Sequence, residues 1–332
     1  MVDLGAATTV LLVSFLVLLV LKVPITFSLA ISSIITSFYL GIPLMAVVQR
    51  MMQGVRIFSL LAIPFFILAG EIMSKGGISR RLIEFSNLLI GRLRGGLAQV
   101  NVLASMFFGG ISGSAVADVS SIGSIMIPIM KKKGYDADYS VAVTVTSACQ
   151  GSIIPPSHNM IIYSLAAGGV SVGRLFLGGF IPGVVLGVSL MILSFVIAVK
   201  RNYPKEEAFT LAQAVKISKD AILGLLTAVI IIGGVISGVF TATESAAIAT
   251  VYAFIITFFV YREIPLSAFW RMLRVSLRTL AMVMSLIAAA NAFGWLLAFL
   301  QVPSKATELL LAITQSRVAL LLLINVLLLI LG

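Results

Sequence analysis

Long runs of apolar residues, separated by short polar connections, dominate the pattern along the chain. A helix of about 20 mostly apolar residues is enough to cross a bilayer. Eight runs fit that template, near residues 6–21, 24–42, 57–74, 176–199, 221–240, 243–261, 278–300 and 318–331. The pattern therefore predicts an all-α polytopic membrane protein.

Two further apolar regions contain consecutive residues that disfavour a continuous helix. Residues 97–130 contain the sequence Gly-Gly-Ile-Ser-Gly-Ser at 109–114, and residues 138–168 contain Ile-Ile-Pro-Pro-Ser at 153–157. Glycines permit a tight turn, and consecutive prolines remove two backbone donors from a helix. We predict a helical hairpin in the first region and a broken helix in the second.

Shorter amphipathic pieces connect the spans at residues 79–93, 208–220 and 263–275. Helices with one apolar face commonly lie flat in the membrane interface. A connecting role for these pieces is at least as well supported as a moving one, so both interpretations stay open.

Composition and charge support the bilayer assignment. Hydrophobic residues make up 60% of the chain and charged residues 11%, with a mean hydropathy of +1.15. Soluble domains are about 25% charged, so a soluble enzyme is excluded. The net charge of +11 comes from residues that flank the apolar runs, which argues against nucleic-acid binding. Cys149 and His158 are the single cysteine and histidine, too few for a disulfide or a Cys/His metal cluster.

The distribution of basic residues predicts an orientation. With the N-terminus outside, eighteen of the 23 lysines and arginines fall on the inner side, as the positive-inside rule requires. Arg92 and Arg94 precede the first interrupted region and Lys131 to Lys133 follow it, so its ends share the inner face. We therefore expect a re-entrant hairpin, which enters and leaves on one side.

A shift of 224 residues reveals a weak internal repeat. It superposes Gly70 on Gly294, Ile78 on Val302, Glu84 on Glu308, and residues 101–103 on residues 325–327. The predicted threading places the two copies on opposite sides of the membrane. Inverted repeats with broken helices are typical of secondary transporters.

The hairpin turn is a candidate ion or substrate site. Gly109, Gly110 and Gly113 allow irregular backbone, and Ser112 and Ser114 add hydroxyls. Irregular backbone at membrane depth occurs where it is buried in protein or lines a cavity. A packing patch for a neighbouring helix is the main alternative. A phosphate loop is a poorer one, because no strand or Walker lysine is present.

Further hypotheses concern the double proline and the polar residues Asp118, Glu244 and His158. Pro155 and Pro156 leave carbonyls for a bound cation, unless Ser152, Ser157 or water repairs the kink. Asp118 is either a functional carboxylate or a cap on the turn amides. Glu244 is expected in a first helical turn capped by Thr243. His158 is expected to bond a backbone group or to face a cavity.

Three segments carry a resemblance to a known family: Phe108–Asp118, Gly151–Ser157 and Thr241–Ala247. They resemble the large membrane subunit of tripartite ATP-independent periplasmic (TRAP) transporters, with Ala242 in place of that family's usual proline. The resemblance implies a bacterial inner-membrane, sodium-driven importer with an elevator mechanism. Its implied partners are a small (Q) membrane subunit and a periplasmic substrate-binding (P) protein, and its implied cargo is a small carboxylate. No cofactor is implied apart from Na⁺ as the coupling ion.

The resemblance also implies site residues. The implied sodium site lies at the hairpin turn and at the break of the second helix. Its residues are Gly110, Ser112, Ser114, Gly151, Ile154 and Pro156. Candidate substrate contacts lie beside it, at Gly113, Ser114, Asp118 and Ser157. We expect no catalytic residue, because the family does not consist of enzymes.

The same reasoning divides the chain into five segments. Residues 1–74 hold first-repeat spans, 75–96 an interfacial arm, 97–168 the hairpin and broken helix, 169–220 a linking span, and 221–332 an incomplete second repeat. Family members continue for roughly a third more, so we expect a second hairpin to be missing and residues 1–332 not to transport alone. The closest rival function is a sodium/dicarboxylate symporter without a binding protein, and a membrane-embedded transferase is a more distant one.

Overall fold

The computed structural model describes residues 3–331 and contains, within them, helices and connecting loops but no strand. Its α-helices are α1 (Leu4–Val20), α2 (Ile25–Tyr39), α3 (Leu44–Val55), α4 (Ala62–Lys75), α5 (Ile78–Ile90), α6 (Gly96–Ser112), α7 (Ala115–Lys132), α8 (Ala137–Ala148), α9 (Gln150–Ile153), α10 (His158–Ala166), α11 (Val172–Lys200), α12 (Leu211–Ile236), α13 (Ala242–Ile255), α14 (Ala268–Phe299), α15 (Val302–Ile313) and α16 (Arg317–Leu331). A 3₁₀ turn at Phe58–Leu61 precedes α4, and a π-helical turn at Ile256–Tyr261 continues α13.

Five helical segments of the described chain are long and apolar enough to cross a membrane. They are Phe58–Lys75, Val172–Lys200, Leu211–Ile236, Ala242–Tyr261 and Ala268–Phe299. Shorter apolar helices include α1, α2, α6 and α16. The predicted all-α polytopic architecture is confirmed at this level.

Two boundary predictions were wrong. The amphipathic stretches at 208–220 and 263–275 are not separate pieces, because most of each forms the first turns of α12 and of α14. Neither junction contains a proline or a glycine, so backbone hydrogen bonds continue without interruption. The structure also contains an amphipathic helix that the sequence analysis did not assign, α3, which begins directly after Pro43.

The chain forms two compact units. Among the described residues, the first unit comprises 3–57 and 281–331, and the second comprises 58–280. In the first unit, Ala7, Leu11 and Leu29 are buried together with Phe293 and other residues of the C-terminal part of α14. The rings of Phe15 and Phe293 lie 5.2 Å apart, so this unit has its own apolar core.

The second unit is built around α6, most of whose residues are buried. Helices α4, α5, α7, α8 and α11 all contact it. The core on these faces includes Phe108, Ile111, Ile122 and Met126, each fully buried. This packing places the interrupted segments of the sequence inside the unit.

Candidate functional site

The first interruption is a helical hairpin with a two-residue turn, Gly113 and Ser114. Helix α6 ends at Ser112, and Gly113 follows with φ +62°, a conformation that favours glycine because it lacks Cβ. Ser114 then caps α7, its Oγ accepting a hydrogen bond from the Ala117 amide at 3.3 Å. Ser114 is half-buried and Val116 is exposed, so the start of α7 lies at the surface of the described chain.

The second interruption divides one helical path into α8, α9 and α10. Helix α9 ends at Ile153, and residues 154–157 are not helical, with Ile154 and Ser157 in extended conformation, before α10 begins at His158. The peptide bond between Pro155 and Pro156 is cis. The Ser157 hydroxyl donates to the carbonyl of Ser152 at 2.9 Å, so one of the carbonyls that the prolines leave free is satisfied by the predicted serine repair.

The two interruptions lie in direct contact. A methyl group on Gly109 would lie 2.6 Å from Cα of Gly151, so the backbones of α6 and α9 touch there. A methyl group on Gly113 would lie 2.6 Å from the carbonyl oxygen of Pro156 and 3.2 Å from the amide nitrogen of His158. The tip of the hairpin and the break of the second helix therefore form one site, which we call the tip site (residues 109–115 and 151–158).

Four helix ends surround the tip site. Helices α6 and α9 end there, and their last carbonyls carry partial negative charge. Helices α7 and α10 begin there, and their first amides carry partial positive charge. No side chain in the described chain caps the α10 amides. The arrangement offers carbonyls to a cation and amides to an anion within one small region.

Three glycines on one face of α11 pack closely against the broken helix. Gly179, Gly183 and Gly187 are buried and recur every four residues. A methyl group on Gly179 would lie 2.5 Å from the carbonyl oxygen of Ile153, and one on Gly187 would lie 2.6 Å from Oε1 of Gln150. Small residues of this kind let helices approach closely, so α11 fixes the position of α9.

The predicted site residues occupy different depths. Gly110, Ser112, Gly113, Gly151, Ile154, Pro156 and Ser157 are buried at the tip site, and Ser114 is half-buried. Ser112 Oγ accepts a long hydrogen bond from the Ser114 amide at 3.3 Å. Asp118 lies one turn deeper on α7 and is completely buried. Ser114, and not Asp118, caps the turn amides, so that alternative for the carboxylate was wrong.

Comparison with known proteins identifies the family. The family model described as "Tripartite ATP-independent periplasmic transporter, DctM component" matches residues 12–332. The uncharacterized protein YgiK of Salmonella typhimurium is 41% identical over 96% of this chain and 74% of its own length. The sialic acid TRAP transporter large permease SiaM of Vibrio cholerae is 39% identical, over 95% and 74%. The C4-dicarboxylate TRAP transporter large permease DctM of Pseudomonas aeruginosa is 40% identical, over 83% and 64%.

The chain belongs to the DctM family of TRAP transporter large permeases. Its expected membership is thereby confirmed, as is the expectation that it is not an enzyme, since the relatives are transporter permease subunits. With its apolar helices, this TRAP permease is a multi-pass inner-membrane protein.

Glu244 of the TRAP permease has a structural role. The prediction that Thr243 caps this helix was wrong by about half a turn, because Thr241 caps α13. The Glu244 carboxylate accepts a hydrogen bond from the Thr241 amide at 2.8 Å, and Thr241 Oγ1 accepts one from the Glu244 amide at 3.2 Å. This reciprocal pair is a capping box.

A polar segment after α11, which was not predicted from the sequence, contacts the base of the hairpin at the end opposite the tip site. We call this segment, residues 201–206, the strap. Residues 201–206 follow α11 as a turn at Arg201 and Asn202 and then as chain without regular secondary structure, and the Glu206 amide donates to the Gly91 carbonyl at 3.1 Å. Tyr203 and Arg201 donate to Oδ2 of Asp136 at 2.7 and 2.5 Å. These two contacts hold the pKa of Asp136 below its usual value. The strap thus connects the end of α11 to both loops at the hairpin base.

Proposed function

We propose that this chain is the transport subunit of a sodium-coupled, binding-protein-dependent importer of small organic acids. The observation that carries the proposal is the direct contact between the hairpin tip and the broken helix, at Gly109 with Gly151 and at Gly113 with Pro156. Two backbone breaks that meet within an apolar protein leave peptide groups that a ligand can satisfy.

Sodium is the coupling ion in this proposal, held by the carbonyl side of the tip site. The donor set consists of the hydroxyls of Ser112 and Ser114 and the backbone oxygens of Gly110, Gly151, Ile154 and Pro156. The carbonyl of Gly151 would bond the amide of residue 155 in a regular helix, but Pro155 has no N–H. Hydroxyl and carbonyl oxygens are the ligands that hard cations prefer.

The substrate carboxylate binds on the amide side of the same site. Helices α7 and α10 both begin there, and helix N-termini favour anions. Of the four substrate contacts that the resemblance implies, we assign Gly113, Ser114 and Ser157 to it, and we leave out Asp118 because it is completely buried one turn deeper on α7. The relatives that are named for sialic acid and for C4-dicarboxylates both transport carboxylates, which supports a small organic acid as the cargo.

The partners follow from the family. TRAP large permeases work with a small permease subunit and a periplasmic binding protein. We propose that this chain assembles with both and that its N-terminus is periplasmic, with the hairpin base on the cytoplasmic face. The excess of lysine and arginine on that face supports the orientation.

An elevator movement of inverted repeats is the proposed mechanism. The helix boundaries support the repeat that a shift of 224 residues suggests. Helix α4 ends at Lys75 and α5 begins at Ile78, while α14 ends at Phe299 and α15 begins at Val302, so both boundaries coincide under that shift.

The test is the sodium dependence of uptake by the full-length gene product, reconstituted with its binding protein and small subunit. Ser112→Ala removes a proposed ligand and is expected to raise the half-saturating sodium concentration. Ser120→Ala is the matched control, because Ser120 lies on the same hairpin, is exposed and bonds only the Val116 carbonyl within its own helix. Equal sodium dependence in both variants would refute the assignment of the tip site.

A further inference from the structure

Below the tip site, four polar residues are buried without satisfying their oxygens. Asn101 and Ser105 lie on α6, Asp118 on α7 and Ser147 on α8, and all four are 0% exposed. The oxygens Asn101 Oδ1, Ser105 Oγ, both Asp118 Oδ atoms and Ser147 Oγ have no hydrogen-bond partner among the described residues. Buried polar oxygens are normally paired, so five unpaired oxygens in one helical core require an explanation.

These oxygens belong to adjacent turns of three packed helices. The Asn101 amide nitrogen donates to Thr144 Oγ1 at 2.7 Å, and Gly109 touches Gly151 two turns further along both helices. Helix α6 and the path formed by α8 and α9 therefore run side by side in the same direction between these two contacts. Ser105 and Ser147 fall midway between them.

Asp118 reaches the same layer from α7. The Ser105 hydroxyl faces the Asp118 carboxylate, although no hydrogen bond of normal geometry joins the two within the described chain. Helix α6 contains no charged residue, and the lysines of α7 lie at its far end, at Lys131 and Lys132. Among the described residues, no lysine, arginine or histidine nitrogen forms an ion pair with the Asp118 carboxylate.

We propose that Asn101, Ser105, Asp118 and Ser147 form a second cation site, which holds a monovalent cation. We call it the lower site, because it lies about one helical turn beneath the tip site. The donors are carboxylate, amide and hydroxyl oxygens, which suit a hard cation. A single negative charge is balanced by one positive charge, whereas a divalent ion would leave a net charge in an apolar interior. The identity of the ion as sodium rests on the proposed function, but the existence of the site does not.

The site assigns Asp118 a role apart from the substrate. Asp118 is fully buried one helical turn after Ser114, whereas a methyl group on Gly151 at the tip would lie 3.4 Å from the carbonyl carbon of Ser114 and 3.5 Å from the amide nitrogen of Ala115. Occupation of the lower site would tie α6, α7 and α8 together and so hold the hairpin against the broken helix. Sodium bound there would stabilise the tip site without touching the substrate.

Thermal unfolding of the purified full-length gene product tests the proposal, with sodium replaced by N-methyl-glucamine at constant ionic strength. Ser147→Ala is expected to raise the half-saturating sodium concentration by about fivefold or more. Ser140→Ala is the matched control, since Ser140 lies on the same helix and is equally buried, but donates to its own backbone at Asp136. It should leave the sodium response unchanged.

Asp118→Asn gives the sharper result because it keeps the shape and removes the charge. In sodium-free buffer this variant should unfold at a higher temperature than the wild type, since an unbalanced buried carboxylate is lost. Saturation binding of ²²Na⁺ should show one ion fewer. Lower stability without sodium, together with undiminished ²²Na⁺ binding, would overturn the proposal.

Ser112→Ala separates this site from the tip site in the same assays. If Ser112→Ala alone changes sodium binding, the tip site stands and the lower site is refuted. If Asp118→Asn and Ser147→Ala alone change it, the lower site stands and the sodium assignment of the tip site fails.

Discussion

A single methyl group on Gly109 would test the contact on which the functional site depends. In the structure that methyl would lie 2.6 Å from Cα of Gly151 and 2.9 Å from its nitrogen, both of them backbone atoms. Carbon atoms pack at about 3.5–4.0 Å, so α6 and α9 must separate by roughly 1 Å. Because both partners are backbone, no side-chain rotation can relieve the clash.

The expected cost follows from two opposing effects. Overpacking of a close-packed interior destabilises by about 1–3 kcal/mol. Alanine is favoured over glycine in a helix by about 1 kcal/mol. Gly109→Ala should therefore be between nearly neutral and about 2 kcal/mol less stable, and its sodium affinity should fall because the tip ligands move apart.

Gly233→Ala provides the matched control. Gly233 lies within α12, and a methyl group there would meet nothing within 4 Å. This variant should gain the helix preference without the clash, so the two variants should differ by about 1–3 kcal/mol. The assay is thermal unfolding of the purified protein with and without sodium. If both variants have the same stability and the same sodium response, the close contact between Gly109 and Gly151 is refuted.

The remaining predictions concern the strap, the orientation and one helix cap. The lowered pKa of Asp136 means that its contacts stabilise the fold above the ordinary value of 3.8 and that this stabilisation is lost as pH falls through the lower folded value. Asp136→Asn should therefore reduce the thermal stability at pH 6 and remove its acid dependence. Cysteines introduced at Arg94 and Lys132, in a Cys149→Ala background, should be labelled from one side of the membrane, and labelling from opposite sides would contradict the re-entrant hairpin. Thr241→Ala should destabilise α13 by about 1 kcal/mol in thermal unfolding, and an unchanged melting temperature would contradict the capping box.

The sequence predicts the interruptions well because they depend on local chemistry. Gly113 and the Pro155–Pro156 pair dictate where α6 and α9 end whatever surrounds them, so the turn and the break appear as expected. The start of α12 at Leu211 was harder to predict, since a polar first half does not stop a helix that has no breaker. Amphipathic pattern alone therefore overestimated the number of separate pieces.

Contacts between distant segments could not be read from the pattern. The register that places Gly109 against Gly151 depends on how α6 and α9 pack, which no local signal specifies. A weaker signal was available for the lower site. Asn101 and Ser105 are four residues apart, and Ser140, Thr144 and Ser147 follow helical spacing within an apolar run. Polar stripes of this kind within membrane helices indicate a buried polar layer.

Simultaneous measurement of substrate and ²²Na⁺ entry tests the central claim most directly. The full-length permease is reconstituted in liposomes with its small subunit and binding protein, and both labels are followed under an inward sodium gradient. The account predicts that the labelled organic acid and ²²Na⁺ enter together and that Ser112→Ala reduces both in parallel. Substrate accumulation at an unchanged rate without sodium entry would contradict it.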